Sequence, residues 1–467
     1  MMTNASRWLG GSVGVALVAI GMMLTTACDP PKDLTPSASA DASSPTAGTE
    51  ASSPFNAAKV GIPVSGDVVL IGGWSSGNKS TATAEFFDPA TKKFKSTGSM
   101  ATSAGALSAD LLNSGGILVA GGFGGKSKFT KRTVSNAVTG AAITNLQTYD
   151  PTTGLFTAAT APLLTARMGA TATTLASDKV LIAGGIDATG APLDTAELFD
   201  PVAGTTAATV NTMGSARAFH TATLVGGKVL IVGGATDATA DLTATADLYD
   251  PATNSFAPTV GAMGTARGAH AAVILTTGPD SGKVLIVGGI TNSGGLLSAI
   301  FSAELFDPVA TTFSPAANVM NDARAFPTAT VLSSGDVLIV GGFTNFFSAQ
   351  VNGATGSLNS LFGSTLKSAE LYDPIATTFT CVPGSGFGGS LCLASMKVAR
   401  AAHTATLFTG GPLAGQVLLA GGIGATKPNS TSSELSEAEL YDPSTNQFKK
   451  TGSLKKKRGL HVAILLQ

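Results

Sequence analysis

The sequence predicts an all-β protein built from seven copies of one short-stranded repeat. An apolar run closed by a pair of glycines occurs seven times, and Val229–Gly234 (VLIVGG) is its clearest copy. Consecutive apolar residues, mostly β-branched or Leu, are typical of a strand covered on both faces. Between these runs stands a second phrase, Ala-Glu-Leu-Tyr-Asp-Pro or a close variant, also seven times. A fixed internal period predicts a repeat array rather than several independent domains.

The Asp-Pro pair of each repeat predicts a tight turn that ends a strand. The Asp carboxylate can accept backbone hydrogen bonds, and Pro presets the φ angle of the next position. In six of the seven repeats a Phe stands six residues after this Asp, and Thr206 is the exception. The Phe marks a further strand in each of those repeats. The six are Phe94, Phe156, Phe256, Phe313, Phe379 and Phe448.

A third phrase, of the type Ala-Arg-x-x-His-Thr-Ala-Thr-Leu, predicts one more strand in each repeat. Its clear copies are Ala216–Leu224, Ala266–Leu275 and Ala399–Leu407, with looser ones at Ala166–Leu175 and Ala323–Leu332. Alternation of small residues with Thr or Val suits a strand in a narrow, tapering centre. Each period therefore holds four strands.

These phrases together resemble kelch repeats, with Phe where that family usually has Trp. The resemblance covers residues 57–467 and implies a seven-bladed β-propeller. The first period opens at Val68 with a second strand, whereas the last phrase, Arg458–Leu466, is a first strand with nothing after it. We therefore expect the C-terminal strand to complete the first blade and close the ring, which removes the free sheet edge.

The polar residues that recur in every period are expected to serve the fold. All four His and all four Tyr stand at repeat positions. The resemblance also implies a likeness in fold to the galactose oxidase group, whose enzymes need His and Tyr side chains that converge on copper. No such residues are left over here, so we expect no catalytic constellation, metal or cofactor. The clearest repeat residues are Gly233, Gly234, Arg217, His220, Arg267, His270, Arg400 and His403.

The repeating Arg and the Glu two residues before each aromatic have opposite charges. We expect them to form buried, structural ion pairs within or between blades. The alternative is an Arg-lined central channel that binds a carboxylate, as in propellers that process sialic acid.

The N-terminus has the pattern of an export signal. One basic residue in Met1–Arg7 precedes the apolar stretch Trp8–Thr26, which predicts a signal peptide at 1–27. Leu24–Cys28 resembles a bacterial lipobox, although Thr25 stands where the family favours Leu. The resemblance implies that Cys28 is lipidated. An ordinary cleaved signal and an uncleaved span are the alternatives. Residues 28–56, rich in Ser, Ala, Pro and Thr, predict a disordered linker.

Composition excludes some partners. The formal net charge is -1, so the protein has no overall positive potential that would attract nucleic acid. The basic cluster at Lys449, Lys450 and 455–458 is interpreted as a solvated face, with phospholipid headgroups as the alternative. We expect an exported monomer in the cell envelope, on its periplasmic side or outer surface.

The long insertions all fall on one face of the predicted ring. Strands of a blade alternate in direction, so the insertions after second and fourth strands emerge together. Loops on a rigid scaffold usually carry recognition, and the candidate ligand-binding residues are Phe346, Phe347, Phe362, Lys128 and Arg132. The alternative is that the Phe cover the ring as a lid and the cations are solvated.

Cys381 and Cys392 bracket Val382–Leu391, inside the long connection that follows the fourth strand of the predicted sixth blade. In an exported chain such a pair predicts a disulfide, with a metal pair or free thiols as alternatives.

The sequence as a whole predicts a lipid-anchored binding scaffold for a glycan or a protein. An enzyme that acts on a sugar or sialic acid in the central channel and a structural component of a surface assembly are the competing hypotheses.

Overall fold

The protein is a seven-bladed β-propeller. The computed structural model describes residues 61–75, 79–127, 138–237, 241–293, 296–344, 364–383, 392, 395–424 and 433–467. Seven small antiparallel sheets, here called blades 1 to 7, form a ring. No helix in these ranges is long and apolar enough to cross a membrane. The expected signal peptide, Cys28 and the linker lie outside the described residues.

Each blade has four main strands, numbered in chain order and given from the axis outward. Blade 1 is β35 (Val462–Leu465), β1 (Val68–Ile71), β3 (Lys79–Asp88) and β4 (Lys93–Ala104); the short β2 (Trp74–Ser75) also pairs with β3. Blade 2 is β5 (Ser108–Leu111), β6 (Ile117–Ala120), β9 (Leu146–Asp150) and β10 (Leu155–Ala158). Blade 3 is β11 (Thr171–Thr174), β12 (Val180–Ala183), β13 (Ala196–Asp200) and β14 (Thr205–Ala208).

The remaining blades repeat the pattern. Blade 4 is β15 (Thr221–Val225), β16 (Lys228–Val232), β17 (Ala246–Asp250) and β18 (Ser255–Pro258). Blade 5 is β19 (Ala271–Ile274), β20 (Val284–Val287), β23 (Ala303–Asp307) and β24 (Thr312–Pro315). Blade 6 is β25 (Thr328–Val331), β26 (Val337–Val340), β27 (Ala369–Asp373) and β28 (Thr378–Cys381). Blade 7 is β29 (Thr404–Leu407), β30 (Val417–Ala420), β33 (Ala438–Asp442) and β34 (Gln447–Lys450).

The two ends of the chain complete one blade, which confirms the predicted closure. The C-terminal strand β35 pairs antiparallel with β1, in a register that runs from Val68 opposite Leu465 to Ile71 opposite Val462. Because β1 also pairs with β3, blade 1 joins residues almost four hundred positions apart in the chain. The second strand, β1, is therefore paired along both edges and offers no free edge of the kind that invites aggregation.

The hydrophobic core lies between neighbouring blades. The VLIVGG runs form second strands that are buried at every apolar residue, as their unbroken hydrophobicity predicts. Val229 and Ile231 of blade 4, for example, pack in one cluster with Leu181 and Ala183 of blade 3. The predicted Phe of the outer strand packs against the aromatic residue of the third strand, as in Tyr249 and Phe256, whose ring centroids lie 5.1 Å apart.

Connections divide between two faces of the ring. The Asp-Pro turns lie on the turn face, where the Asp accepts backbone hydrogen bonds as expected; Asp250 Oδ1, for example, accepts one from the Ala252 N–H at 2.9 Å. The connections after second strands emerge on the opposite face, here called the insertion face. Among the described residues, separate two-stranded hairpins occur in the connections of blades 2, 5 and 7, which are β7–β8 (Phe123–Ser127, Val138–Ala142), β21–β22 (Ile290–Ser293, Leu296–Ala299) and β31–β32 (Ile423–Gly424, Ser433–Glu434).

The innermost strands begin later than the sequence predicts. The Ala-Arg-x-x-His part of each phrase is not extended strand: in blade 4 the strand starts at Thr221, after His220. The preceding residue, Phe219, has a left-handed φ of 54°, so the chain turns sharply there before it runs along the axis. The first strand expected in blade 2 is β5, which has no recognisable copy of the phrase because Ala104 stands where the other blades have Arg.

A disulfide joins Cys381, the last residue of β28, to Cys392. It fastens the connection between blades 6 and 7 to the outer edge of blade 6. In the chain-entropy model, a covalent loop of this length stabilises the folded state by roughly 3 kcal/mol.

Candidate functional site

Seven residues, one from each blade, form a closed circle about the propeller axis at the insertion face. Each has a left-handed backbone, with φ between 50° and 59°. Each N–H donates to the carbonyl oxygen of the equivalent residue in the preceding blade, over 2.8 to 3.3 Å. Six of the seven are not glycine, so the circle holds a conformation that L-residues rarely adopt. This axial circle consists of Ala106, Gly169, Phe219, Ala269, Phe326, Ala402 and Leu460.

Large and small side chains alternate around the axial circle. Phe219, Phe326 and Leu460 are separated by small residues, and the rings of Phe219 and Phe326 meet edge to face, 6.0 Å apart, across Ala269. Phe326 also meets Phe343, the first residue of the blade 6 insertion, edge to face at 6.4 Å. Because seven is odd, two residues of like size must be neighbours. These are Ala106 and Gly169, and the ring of Phe219 lies over Gly169, 3.2 Å from where a Cβ would stand.

The residue after each circle position forms a second layer, in which four blades place a histidine. His270 Nε2 shares a hydrogen bond with Thr221 Oγ1 of the preceding blade, at 2.8 Å. The same bond joins three further pairs at 3.1 Å, which are His220 with Thr171, His403 with Thr328 and His461 with Thr404. Each histidine therefore fastens one blade to the next.

The blades without this histidine also lack the facing threonine. Leu107 stands at the histidine position of blade 2, and the equivalent partner is Val462, which packs in the same apolar cluster. The other two exceptions are Pro327 with Ala271, and Ala170 with Ser108. Since the two positions change together along one chain, the histidines serve the contact between blades.

The histidines are neutral at physiological pH. Burial, followed by the charge of nearby Arg side chains, lowers the pKa of His220 and of His270 to about 3. The same causes hold the pKa of His403 and His461 well below the usual value. Desolvation penalises an imidazolium that has no anion beside it.

A cavity of about 260 Å³ opens at the axis between these two layers. All seven circle residues line it, together with the seven residues that follow them. None of the fourteen carries a charged side chain, and the four neutral imidazoles are the only polar side chains in the wall.

The repeating Arg residues do not line the cavity. Each lies in a buried ion pair with a carboxylate of its own blade, and this arrangement is here called a clasp. Arg267 is 0% exposed, and its NH2 nitrogen lies 2.6 Å from Glu304 Oε1 on the third strand of the same blade. Its NH1 group donates to the carbonyl oxygens of Gly288 and Ser302. The carboxylate of Glu304 also accepts two backbone N–H bonds, from Gly264 and Thr265. Each clasp therefore joins the residues that precede the first strand to the ends of the second and third strands.

Five further blades contain the same clasp. Their NH2-to-carboxylate distances range from 2.6 to 3.0 Å, and all five Arg are 0% exposed. The pairs are Arg167 with Glu197, Arg217 with Asp247, Arg324 with Glu370, Arg400 with Glu439 and Arg458 with Glu85. The last of these joins the C-terminal phrase to the N-terminal strand β3. Blade 2 lacks both partners, with Ala104 and Gln147 in their places.

The hypothesis of an Arg-lined central channel is therefore wrong for these six residues. Their guanidinium groups point into the blades, and none of them borders the axial cavity. The physical reason is that each Arg precedes the sharp turn at the axial circle, whereas the chain reaches the axis only after that turn.

One group of possible metal ligands occurs in the described part of the chain, formed by Asp322, Glu370 and Cys392. The sulfur of Cys392 is bonded to Cys381. Both carboxylates bind Arg324, and Asp322 also accepts a hydrogen bond from the Ser368 hydroxyl at 2.6 Å. The group is therefore an extended form of the blade 6 clasp.

The ligand-binding residues expected from the sequence are not among those that the structure describes. Phe346, Phe347, Phe362, Lys128 and Arg132 all lie outside the described residues. The axial circle was overlooked in the sequence, although its signal is present. The residue before each His-Thr pair, or its equivalent, recurs in all seven blades with alternating size.

Comparisons with known proteins add little to this picture. No protein-family model and no curated protein matches the chain. A solved structure, "Structure of YjhT", is 13% identical, with a TM-score of 0.49 over 74% of this chain and 97% of that one. The number of blades rests on the strand pairing of this chain.

Proposed function

We propose that the chain is an exported, lipid-anchored propeller of kelch type that binds a glycan or a protein through its insertion face. The observation that carries the proposal is the axial cavity on the face where the hairpins and long connections emerge. Clefts lined mainly by apolar groups with a few polar ones are the usual form of a ligand site.

The distribution of polar groups supports the same proposal. The Arg, the carboxylates and the His that recur in the blades are committed to contacts within and between blades. What varies among blades is the connection after the second strand, and variable loops on a rigid scaffold carry recognition in many folds. The sequence features that support export and an anchor are the apolar stretch Trp8–Thr26 and Cys28.

A loop graft tests the insertion face. In blade 3, Ile186 bridges to Pro192 across a short turn, and in blade 6 the equivalent Phe343 bridges to Thr365 across a long one. Residues 344–364 should therefore be replaceable by the blade 3 segment 187–191 without loss of the ring. We expect the graft to abolish capture of glycans on an array, or of proteins from an envelope extract, with an unchanged melting temperature.

The matched control is the reverse graft, in which 344–364 replaces 187–191 in blade 3. It should keep capture, since the blade 6 loop stays in place. Capture by the first graft at the natural level would show that recognition does not use this loop.

A further inference from the structure

We propose that the axial cavity receives an uncharged, mainly apolar group about the size of one aromatic ring, presented by a protein partner that docks on the insertion face. This inference rests on the proposed function and narrows it, since it selects a protein side chain such as that of Tyr over a glycan.

The first argument is charge. A buried ion needs a counter-ion or several strong hydrogen bonds, and otherwise its desolvation is unfavourable. The fourteen wall residues include no charged side chain. The nearest repeating cations, the clasp Arg, are fully buried and bonded to carboxylates. Neither an anionic nor a cationic group would find a partner in the cavity.

The second argument is the scarcity of polar groups. The four imidazoles are the polar side chains of the wall; each shares its Nε2 hydrogen bond with a threonine, and each Nδ1, which has no hydrogen-bond partner, is itself buried. The backbone N–H groups of the axial circle are also taken, since each donates to the neighbouring blade. A sugar ring with several hydroxyl groups would lose more hydrogen bonds to water than this wall returns. An apolar ring with one polar tip would lose fewer hydrogen bonds.

The third argument is size and shape. A volume of about 260 Å³ is larger than the ~150 Å³ of an apolar cavity that binds benzene, so one aromatic ring with its linking carbon fits. Phe219 and Phe326 form an aromatic wall on one side, and edge-to-face contact with a further ring is favourable there. Gly169 is covered by the Phe219 ring, which lies 3.2 Å from where a Cβ would stand, and Ala106 carries only a methyl group. A single ring can enter beside Ala106 and lie against the phenyl groups.

The structure also supplies conservative ways to fill the cavity. Ala106 and Ala402 have φ of 50°, and Phe occupies the equivalent position in two other blades at 53° and 54°. Ala106→Phe and Ala402→Phe therefore place in the circle a residue that the chain already tolerates there. Val309→Ser, at a 93% exposed residue on the turn face, is the control.

The experiment measures binding of three small probes to the full chain by titration calorimetry at pH 7.5. The probes are p-cresol, which is the side chain of Tyr with a methyl end, p-toluate, which has the same ring with a negative charge, and D-galactose. We expect p-cresol to bind at least about tenfold more tightly than either other probe. Ala106→Phe and Ala402→Phe should each weaken p-cresol by about tenfold or more at an unchanged melting temperature, and Val309→Ser should not.

Each other outcome overturns the inference in a recognisable way. Preference for p-toluate would show a charged site, and preference for galactose would show a glycan site; both would leave the insertion face as the binding face. Binding of p-cresol that survives both Phe variants would place it outside the cavity. If no probe binds, the inference fails, while the loop graft still decides the proposed function separately.

Discussion

Replacement of Arg267 by Ala is expected to destabilise the propeller by about 3–5 kcal/mol, because it leaves the Glu304 carboxylate buried without its counter-ion. Arg267 also donates to two carbonyl oxygens that would lose a partner, those of Gly288 and Ser302. The free energy of unfolding from a urea titration, monitored by circular dichroism, measures the change.

Blade 2 provides the matched control for this prediction. It has Ala104 and Gln147 in place of the ion pair, and Gln147 Oε1 accepts the Ala101 N–H at 3.0 Å. The double variant Arg267→Ala with Glu304→Gln reproduces that arrangement and removes the buried charge. We therefore expect it to recover more than half of the loss. A single variant that costs less than about 1 kcal/mol, the level of a surface ion pair, would contradict the buried clasp.

Acid is expected to unfold the protein at a pH well above the usual range of carboxylate titration. The four histidines have ordinary pKa values when unfolded but lowered values when folded, about 3 for His220 and His270. Below pH 6.5 the unfolded state therefore binds more protons than the folded state, and stability falls as pH falls. From pH 6.5 to 4.5, His220 and His270 should together remove on the order of 5 kcal/mol, at up to about 1.4 kcal/mol per pH unit for each, and His403 and His461 change the stability in the same direction.

The chain offers a control for this pH dependence as well. In blade 2, Leu107 stands at the histidine position and packs in one cluster with Val462. The double variant His270→Leu with Thr221→Val copies this pair and removes one buried imidazole. Between pH 6.5 and 4.5 its unfolding free energy should fall less steeply, by up to about 1.4 kcal/mol per pH unit. An unchanged slope would mean that His270 is protonated in the folded state.

Much of the fold could be predicted from the sequence because the repeat carries its own signals. The VLIVGG runs, the Asp-Pro turns and the unmatched first strand at Arg458–Leu466 are sufficient for seven blades and their closure. The structural pairing of Arg with Glu followed from their recurrence. Blade 2 was harder to see since it replaces Arg, Glu and His together, although its VLIVGG-like run and Asp-Pro turn remain.

The site was less predictable because it depends on a backbone turn that no residue type announces. Phe219, Ala269 and Leu460 share a left-handed conformation but not a side-chain class. Their common feature is a hydrogen bond to the next blade, which forms only when the ring is complete. The long insertions were predicted as the binding site instead, because their aromatic and basic residues are easy to recognise in the sequence.

The central claim is that the recurring polar residues hold the ring and that the axial cavity binds the partner. Parallel measurement of melting temperature and p-cresol affinity, in Ala106→Phe and in Arg267→Ala with Glu304→Gln, tests it most directly. The account predicts that Ala106→Phe loses affinity and keeps its melting temperature, whereas the clasp variant melts earlier and binds normally below its transition. Lost affinity in the clasp variant, with normal binding by Ala106→Phe, would contradict it.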